Sequence, residues 1–276
     1  MVPLHQITRK LAAFAPLELA ESWDNVGLLL GDESAMVSGI LTCLTLTPDV
    51  AEEAVRLQTQ LIVSHHPLLF RPVQKLTAAT SEGRTIQTLL QQGIAVYSPH
   101  TAFDNAAQGI NQQLAEQLEL REIHPLRPSP LPHLNGLGTG RWGKLETPCS
   151  LREFLDRVQR VGIAGNPETN DAASSFVLYT GDLNQSVSTV GLCCGSGGEL
   201  MQQARRCGCD LFLTGETRFH SCLEAQALEI ALIQAGHYST ERPAIEFLAR
   251  FLQSEFPELR TQASQIERDP LKLKAF

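Results

Sequence analysis

The chain has 276 residues with 22 Lys or Arg against 30 Asp or Glu, which gives a formal net charge of −8. At ~100–200 residues per domain this length predicts one large domain or two smaller ones, able to fold without a disulfide or a structural metal. The acidic balance argues against a nucleic-acid partner, and no apolar run approaches the ~18 residues of a membrane span. Seven cysteines are typical of reduced thiols, and Met1 to Gln6 lack the start of a secretory signal, so we expect a cytoplasmic protein without a membrane partner.

The first part of the chain alternates between strand and helix patterns. Thr47 is a suitable N-cap for a helix that has Pro48 in its first position. The continuous apolar run Leu61–Ser64 is typical of a buried parallel strand. The predicted elements are a strand at 40–44, a helix at 48–57, a strand at 61–64, a helix at 84–92 and a strand at 94–97.

A middle region rich in proline and glycine, 124–150, is predicted to be loop or linker. The pattern then resumes with a helix at 151–161 and strands at 176–179 and 190–194. These are followed by a helix at 199–207, a strand at 211–213, a helix at 223–228, a strand at 230–233 and a last helix after Pro243 that runs to about Glu255. The order of elements after residue 186 repeats the order before residue 123. We therefore predict an α/β fold with two internally duplicated halves, about 1–123 and 186–276, and a short connecting region at about 124–185.

Histidines and carboxylates follow three of the predicted strands. The segments are Ser64-His65-His66-Pro67, His100-Thr101-Ala102-Phe103-Asp104 and His237-Tyr238-Ser239-Thr240-Glu241. The second and third share one layout, a histidine followed four residues later by a carboxylate, at matching places in the two halves. Because ligands bind at the carboxyl ends of parallel strands, we expect the three segments to meet at one sheet edge.

Imidazole and carboxylate together favour zinc, manganese, iron, cobalt or nickel over magnesium or calcium. Five or six such groups exceed the needs of one tetrahedral zinc ion. With a bridging carboxylate they could hold two metals ~3.5–4 Å apart and lower the pKa of a bridging water. The alternative is a set of unrelated solvated histidines and helix caps, and their joint occurrence at three strand ends favours the metal site.

Several motifs also resemble those of the GTP cyclohydrolase I type 2 homologues, the NIF-three-like proteins. The motifs are Trp23-Asp24-Asn25-Val26-Gly27-Leu28, Ser64-His65-His66-Pro67-Leu68, His100-Thr101-Ala102-Phe103-Asp104-Asn105, Gly195-Ser196-Gly197-Gly198, Thr214-Gly215-Glu216 and Gly236-His237-Tyr238-Ser239-Thr240-Glu241. The resemblance covers nearly the whole chain. It implies two intertwined α/β halves with mixed sheets, a dinuclear centre of two divalent metal ions and a ring-shaped homohexamer.

Carried over by position, the resemblance implies a metal-ligand set in which Glu241 bridges the two ions. The implied ligands are His65, His66, Asp104, His237 and Glu241. His100 would lie beside the site, as a supporting group or a further ligand. One departure from the family is Thr45, where relatives often carry Asp.

Weaker signals have two interpretations each. The Gly195–Gly198 segment predicts a tight turn or an anion-binding loop, and Glu216 is either a group that orients a ligand or a surface carboxylate. We interpret Cys193, Cys194, Cys207 and Cys209 as small hydrophobic residues and not as zinc ligands. The segment Trp23-Asp24-Asn25 is predicted to close a loop over the core, and the alternative is that it contacts substrate and lines the cavity.

The resulting hypothesis is a metal-dependent hydrolase acting on GTP or a phosphoester-type substrate, with no catalytic residue assigned beyond the candidates His100 and Glu216. The alternative is a non-enzymatic metal-binding or regulatory ring assembly.

Overall fold

The computed structural model describes residues 1–162, 176–272 and 274. The chain divides into two compact units: Met1–Phe103 with Arg242–Arg268, and Asp104–Glu241 with Asp269–Phe276. Residues 163–175 of the predicted connecting region lie outside the described part. Within the described part, no helix has the length and apolar character needed to cross a membrane.

The strands and helices predicted between residues 40 and 97 are all present in the first part of the chain. The elements of this part are β1 (Val2–Pro3), α1 (Leu4–Phe14), β2 (Gly27–Leu30), β3 (Met36–Val37), β4 (Gly39–Cys43), α2 (Pro48–Arg56), β5 (Leu61–Ser64), α3 (Ser81–Gln92), β6 (Ala95–Ser98) and α4 (His100–Asn105).

The remaining elements begin with α5 (Ile110–Gln117), β7 (Arg121–His124), β8 (Arg127–Pro128), β9 (Gly138–Thr139), β10 (Arg141–Ser150), α6 (Leu151–Arg160), β11 (Leu178–Thr180) and β12 (Ser186–Cys193). They continue with α7 (Met201–Arg206), β13 (Leu211–Thr214), α8 (Phe219–Ala227), β14 (Ala231–Gln234), α9 (His237–Glu255) and β15 (Arg260–Ala263).

The main sheet of the first unit has the strand order β15-β4-β5-β6-β2. The strands β15, β4, β5 and β6 are parallel, with Ile40 opposite Leu61 and Leu61 opposite Ala95. The edge strand β2 is antiparallel to β6. Leu41, Ile62 and Val96 from this sheet form a buried core with Val50 and Ala54 of α2.

The second unit repeats this arrangement in a sheet of order β11-β14-β13-β12-β10-β7. The strands β12, β13 and β14 are parallel, and the edge strand β11 is antiparallel to β14. Phe212 and Leu232 pack in a buried core with Met201, Ala204 and Ala225 from the helices. In both sheets an antiparallel edge strand pairs with the last of the parallel strands, β2 with β6 and β11 with β14, which confirms the predicted α/β class with mixed sheets.

Local signals in the sequence account for several elements. The Thr47 side chain accepts a hydrogen bond from the amide of Val50 and caps α2, as predicted. Gly93 ends α3 in the left-handed conformation with φ +64°, which glycine adopts without steric cost. The strand predicted at 61–64 has the predicted bounds.

Three expectations are wrong. The region 124–150 is not all loop, because β10 pairs with β12 and β7 inside the sheet. Every second residue at the start of β10 is buried, namely Arg141, Gly143 and Leu145. This alternation is typical of a strand, but the proline and glycine content of the region obscured it in the sequence. The last helix begins at His237, with Pro243 inside it. The three histidine segments do not follow strands of one sheet. The strands β5 and β6 belong to the first sheet and β14 belongs to the second, because each half of the chain forms a sheet of its own.

Candidate metal centre

His65 and His66 follow β5 directly, and the neighbouring strand holds their backbone. The amide of His65 donates to the carbonyl of Cys43 at 2.9 Å, and the amide of His66 donates to that of Leu44 at 2.8 Å. The Ser98 hydroxyl donates to the carbonyl of His65 at 2.7 Å. His65 is fully buried. The parallel pairing of the sheet therefore continues past the strand end and fixes both histidines.

The His66 ring is held by a side chain from the loop after β4. Its Nδ1 lies 2.8 Å from the hydroxyl oxygen of Thr45. The hydroxyl of Ser64 donates to the carbonyl of His66 at 2.7 Å. Ring and backbone are thus both restrained, and the contact at Nδ1 sets the orientation of the imidazole.

His100 begins α4 and pairs with a carboxylate that the sequence did not single out. Its Nδ1 donates to Oδ1 of Asp24 at 2.7 Å, and the side chain of Asp24 has no exposed surface. The amide of Thr101 donates to the other carboxylate oxygen at 3.1 Å. Burial alone would raise the pKa of Asp24, but the hydrogen bonds from His100 and Thr101 hold that pKa below its usual value. The motif Trp23-Asp24-Asn25 contained this residue without indicating its partner.

These three histidines form a cluster within the first unit. The His65 ring centroid lies 5.1 Å from that of His66 and 5.2 Å from that of His100, and the last two centroids are 5.7 Å apart. One ligand atom from each ring lies within 4.8 Å of the other two, so the group could hold a metal ion. The structure therefore brings together His65, His66 and the neighbouring residue His100.

In the second unit, His237 and Glu241 lie one turn apart on α9, where four-residue spacing places side chains on one face. His237 Nε2 is 3.1 Å from a carboxylate oxygen of Glu241, which is 4% exposed. His237 Nδ1 contacts Glu216 at 3.0 Å. Burial alone would lower the pKa of His237, but hydrogen bonds to Glu241 and Glu216 raise it to about 9. Glu216 thus contacts the His237 ring, and its own side chain is 55% exposed.

The glycine-rich turn after β12 lies against the Glu241 carboxylate. Gly195 has φ +62°, and a Cβ added there would lie 2.1 Å from Oε1 of Glu241. The amide of Gly195 donates to the hydroxyl of Thr240 at 3.1 Å, and that of Gly197 donates to Thr214 at 3.0 Å. Both amides are used within the protein, which favours the tight-turn interpretation of this segment.

Asp104 lies on α4 in the second unit, where its neighbours anchor the backbone. The Asn111 side chain donates to the carbonyl of Asp104 at 3.1 Å. The buried guanidinium of Arg141 donates to the carbonyls of Asn105 and Ala106 at 3.3 and 2.8 Å. Arg141 is 2% exposed, and burial lowers its pKa to about 10. This anchor was not predicted from the sequence.

Two side interpretations can be compared with the structure. All seven cysteines are free, and burial raises the pKa of Cys193 and Cys194 far above the ordinary thiol value. Both thiols therefore stay protonated, in keeping with a hydrophobic role. Trp23 is 58% exposed, so the prediction that it closes over the core is wrong.

The fold and these side chains define a class, a mixed α/β protein with histidine and carboxylate groups arranged as candidate metal ligands. The family model of Duf34/NIF3 (NGG1p interacting factor 3) matches residues 2–270. The chain belongs to the Duf34/NIF3 family.

Named relatives agree with this assignment. A GTP cyclohydrolase 1 type 2 homolog of Streptomyces coelicolor is 34% identical, over 98% of this chain and 94% of the relative. One from Clostridium acetobutylicum is 33% identical over 95% of each chain. NIF3-like protein 1 of Drosophila melanogaster is 30% identical over 97% of this chain and 88% of the relative.

The fold is similar to that of a Bacillus cereus protein related to NIF3, with a TM-score of 0.86 at 20% identity over 98% of this chain and 99% of that one. A Staphylococcus aureus protein superposes with a TM-score of 0.85 at 26% identity, over 99% of both chains.

Proposed function

We propose that this protein binds two divalent metal ions and acts as a metal-dependent hydrolase on GTP or a phosphoester-type substrate. The observation that supports the proposal most directly is the histidine cluster of the first unit, whose three ligand atoms lie within 4.8 Å of one another. Three imidazoles at this spacing are suitable ligands for zinc or another transition metal. Neutral imidazole carries no positive charge that would repel the ion, and its nitrogen binds these metals strongly.

The proposed ligands are His65, His66, Asp104, His237 and Glu241, with Glu241 as the bridging carboxylate. The ligand set comes from the order of the family motifs. The hydrogen-bond partners of the histidines support it, because metal-binding imidazoles commonly donate their second ring nitrogen to a carboxylate or another oxygen. Glu216 is this partner for His237. Thr45 provides the corresponding oxygen for His66.

Two divalent ions at these residues would supply a Lewis acid and an activated water for hydrolysis. The chain's own groups have separate roles. Glu216 orients His237, and the Asp24 carboxylate fixes His100 with its Nδ1 bonded, so that Nε2 is the nitrogen available to bind metal or to exchange a proton. GTP is the first substrate to test, since relatives at 33% and 34% identity are named GTP cyclohydrolase 1 type 2 homologs.

The ligand assignment is tested by elemental analysis of purified variants. His65→Ala and Glu241→Ala should each lose bound metal while circular dichroism shows an intact fold. His5→Ala, at an exposed histidine of α1, serves as the matched control and should keep its metal. Stoichiometric metal in both ligand variants would refute the assignment.

The activity is tested with the metal-loaded protein on GTP and a panel of phosphoesters. Turnover that disappears in His65→Ala and persists in His5→Ala supports the hydrolase. Two bound metals without turnover of any substrate would exclude it and favour the non-enzymatic assembly.

We also propose that the protein is a homohexamer, as the family resemblance implies. Light scattering should give about six times the 30.2 kDa mass of one chain. A mass near that of a single chain would contradict the hexamer.

A further inference from the structure

Two large aromatic side chains are exposed beside the histidine cluster. Trp23 is 58% exposed and Phe70 is 45% exposed. Their ring centroids are 5.9 Å apart with an interplanar angle of 72°, and both rings lie close to the His100 ring, at 6.1 and 6.2 Å. All three belong to the first unit. An aromatic surface therefore adjoins the proposed metal ligands.

The loops that carry this aromatic pair are fixed in place. The side-chain amide of Asn25 donates to the carbonyl of Leu69 at 2.6 Å, which ties the residues after Trp23 to the residue before Phe70. The amide of Asp24 donates to the carbonyl of Glu21 at 3.0 Å. The two loops that carry the rings are therefore joined to each other. An exposed aromatic pair on joined loops is preorganised to bind a ligand, because little of the chain has to be ordered on binding.

We propose that Trp23 and Phe70 bind a planar heteroaromatic ring of the substrate, such as a nucleobase, next to His100. The inference rests on the proposed function, because it places the base of the substrate beside the proposed metal site. Two rings near a right angle present one face for stacking and one edge against the rim of the ligand, the two favoured aromatic geometries.

Charge argues against a cationic ligand on the same surface. The carboxylate of Asp24 belongs to the loop that carries Trp23, but its side chain is fully buried and accepts hydrogen bonds from His100, Thr101 and the Asn25 amide. Its charge is already compensated and does not face a ligand. The size of this surface argues against a protein partner. The exposed area of two side chains is far smaller than the ~800 Å² of surface that each partner of a stable complex buries.

The experiment measures binding by calorimetry, with the metal-loaded protein and three probes: GTP, guanosine and inorganic tripolyphosphate. Trp23→Ala and Phe70→Ala should each weaken the binding of GTP and guanosine by about 5- to 150-fold, because stacking contributes ~1–3 kcal/mol per base. Tripolyphosphate should bind the variants as it binds the parent protein, since it has no ring. Trp23→Phe should restore most of the guanosine affinity.

Phe219→Ala is the matched control, because Phe219 is 72% exposed but belongs to the second unit. It should leave all three affinities unchanged. The inference is overturned if guanosine and GTP bind Trp23→Ala and Phe70→Ala as tightly as the parent. It is overturned as well if the parent protein does not bind guanosine, or if the variants change only the oligomeric mass.

The two proposals fail in different ways. Base binding that depends on Trp23 in a protein that turns over no substrate would refute the hydrolase and retain the aromatic site. Turnover of GTP that is insensitive to both substitutions would refute the aromatic site and retain the hydrolase.

Discussion

Asp24 and His100 form a buried hydrogen-bonded pair, with 2.7 Å between Oδ1 and Nδ1, although 76 residues separate them in the chain. The pair fixes both the orientation and the tautomer of the imidazole, because the carboxylate accepts the Nδ1 proton. Thr101 donates to the same carboxylate through its amide and its hydroxyl. Asp24 thus joins the loop after α1 to the start of α4, and its ionised form is part of the folded structure.

Asp24→Asn is expected to destabilise the protein at neutral pH by about 1.5–3 kcal/mol, the usual contribution of hydrogen bonds to a charged group. The folded-state pKa of Asp24 lies below the ordinary 3.8. The carboxylate therefore stabilises the fold above about pH 4, and this contribution is lost as the pH falls through the folded-state pKa.

Urea unfolding at pH 7, 5 and 3 measures both effects. The stability difference between the parent protein and Asp24→Asn should narrow towards pH 3. Asp32→Asn, which changes an exposed carboxylate, is the control and should change the stability little at any of the three pH values. An equal difference at pH 7 and pH 3 would show that the charge of Asp24 does not matter.

Thr45→Val should weaken metal binding by about 10- to 100-fold, the usual effect of removing a group that orients a metal-binding histidine. Valine has nearly the same shape but cannot hydrogen-bond Nδ1 of His66. Thr45→Ser keeps the hydroxyl and should restore the affinity, as measured by competition with a chelator.

The nearby Thr47→Val is the control for Thr45→Val. It removes the N-cap of α2 and should cost about 1 kcal/mol of stability while the metal affinity stays at the parent value. Equal metal affinity in Thr45→Val and the parent protein would rule out a positioning role for Thr45.

Gly195→Ala should displace the Glu241 carboxylate, because the new Cβ would lie 2.1 Å from its Oε1. Gly208→Ala is a close control: Gly208 has φ +77°, and nothing lies within 4 Å of its added Cβ. Both variants carry the ~1 kcal/mol cost of a side chain at positive φ. Only Gly195→Ala should lose further stability and bound metal, and matching losses in the two variants would mean that the turn accommodates the methyl group.

The metal-free protein should lose stability as the pH rises from about 6.5 to above 9. His237 has a pKa raised to about 9, so its protonated form stabilises the fold fully below the ordinary value of 6.5 and not above the raised value. Since a third of the side chain is exposed, we expect on the order of 1–2 kcal/mol.

Denaturation of chelator-treated protein at pH 6 and pH 9.5 measures this change. Glu241→Gln should reduce it, because the glutamine no longer favours the protonated imidazole. A pH dependence that is the same in the parent protein and in Glu241→Gln would contradict the assignment to this pair.

Local patterns predicted much of the fold, and contacts between distant segments explain what was missed. The Thr47 cap and the strand Leu61–Ser64 depend on neighbouring residues and were predicted. The Asp24–His100 pair depends on tertiary packing, which no local pattern reports. In β10 the alternation was present, but Gly143 belongs there for a reason visible only in the sheet: an added Cβ would lie 2.7 Å from the carbonyl oxygen of Arg121.

Arg141 provides the strongest test of the anchor behind Asp104. Besides Asn105 and Ala106, its guanidinium donates to the carbonyls of Gly138 and Gly140, each at 2.7 Å. Arg141→Met should destabilise the protein by about 3–5 kcal/mol, because it leaves several buried carbonyls without their donor.

Arg141→Lys separates charge from geometry, since lysine keeps the charge but has three donors in place of the five of the guanidinium. It should recover part of the stability of Arg141→Met and leave the Asp104 segment less rigid, which amide hydrogen exchange at 104–106 would detect. If Arg141→Lys is as stable as the parent protein and protects these amides equally, then the positive charge alone accounts for the role of Arg141.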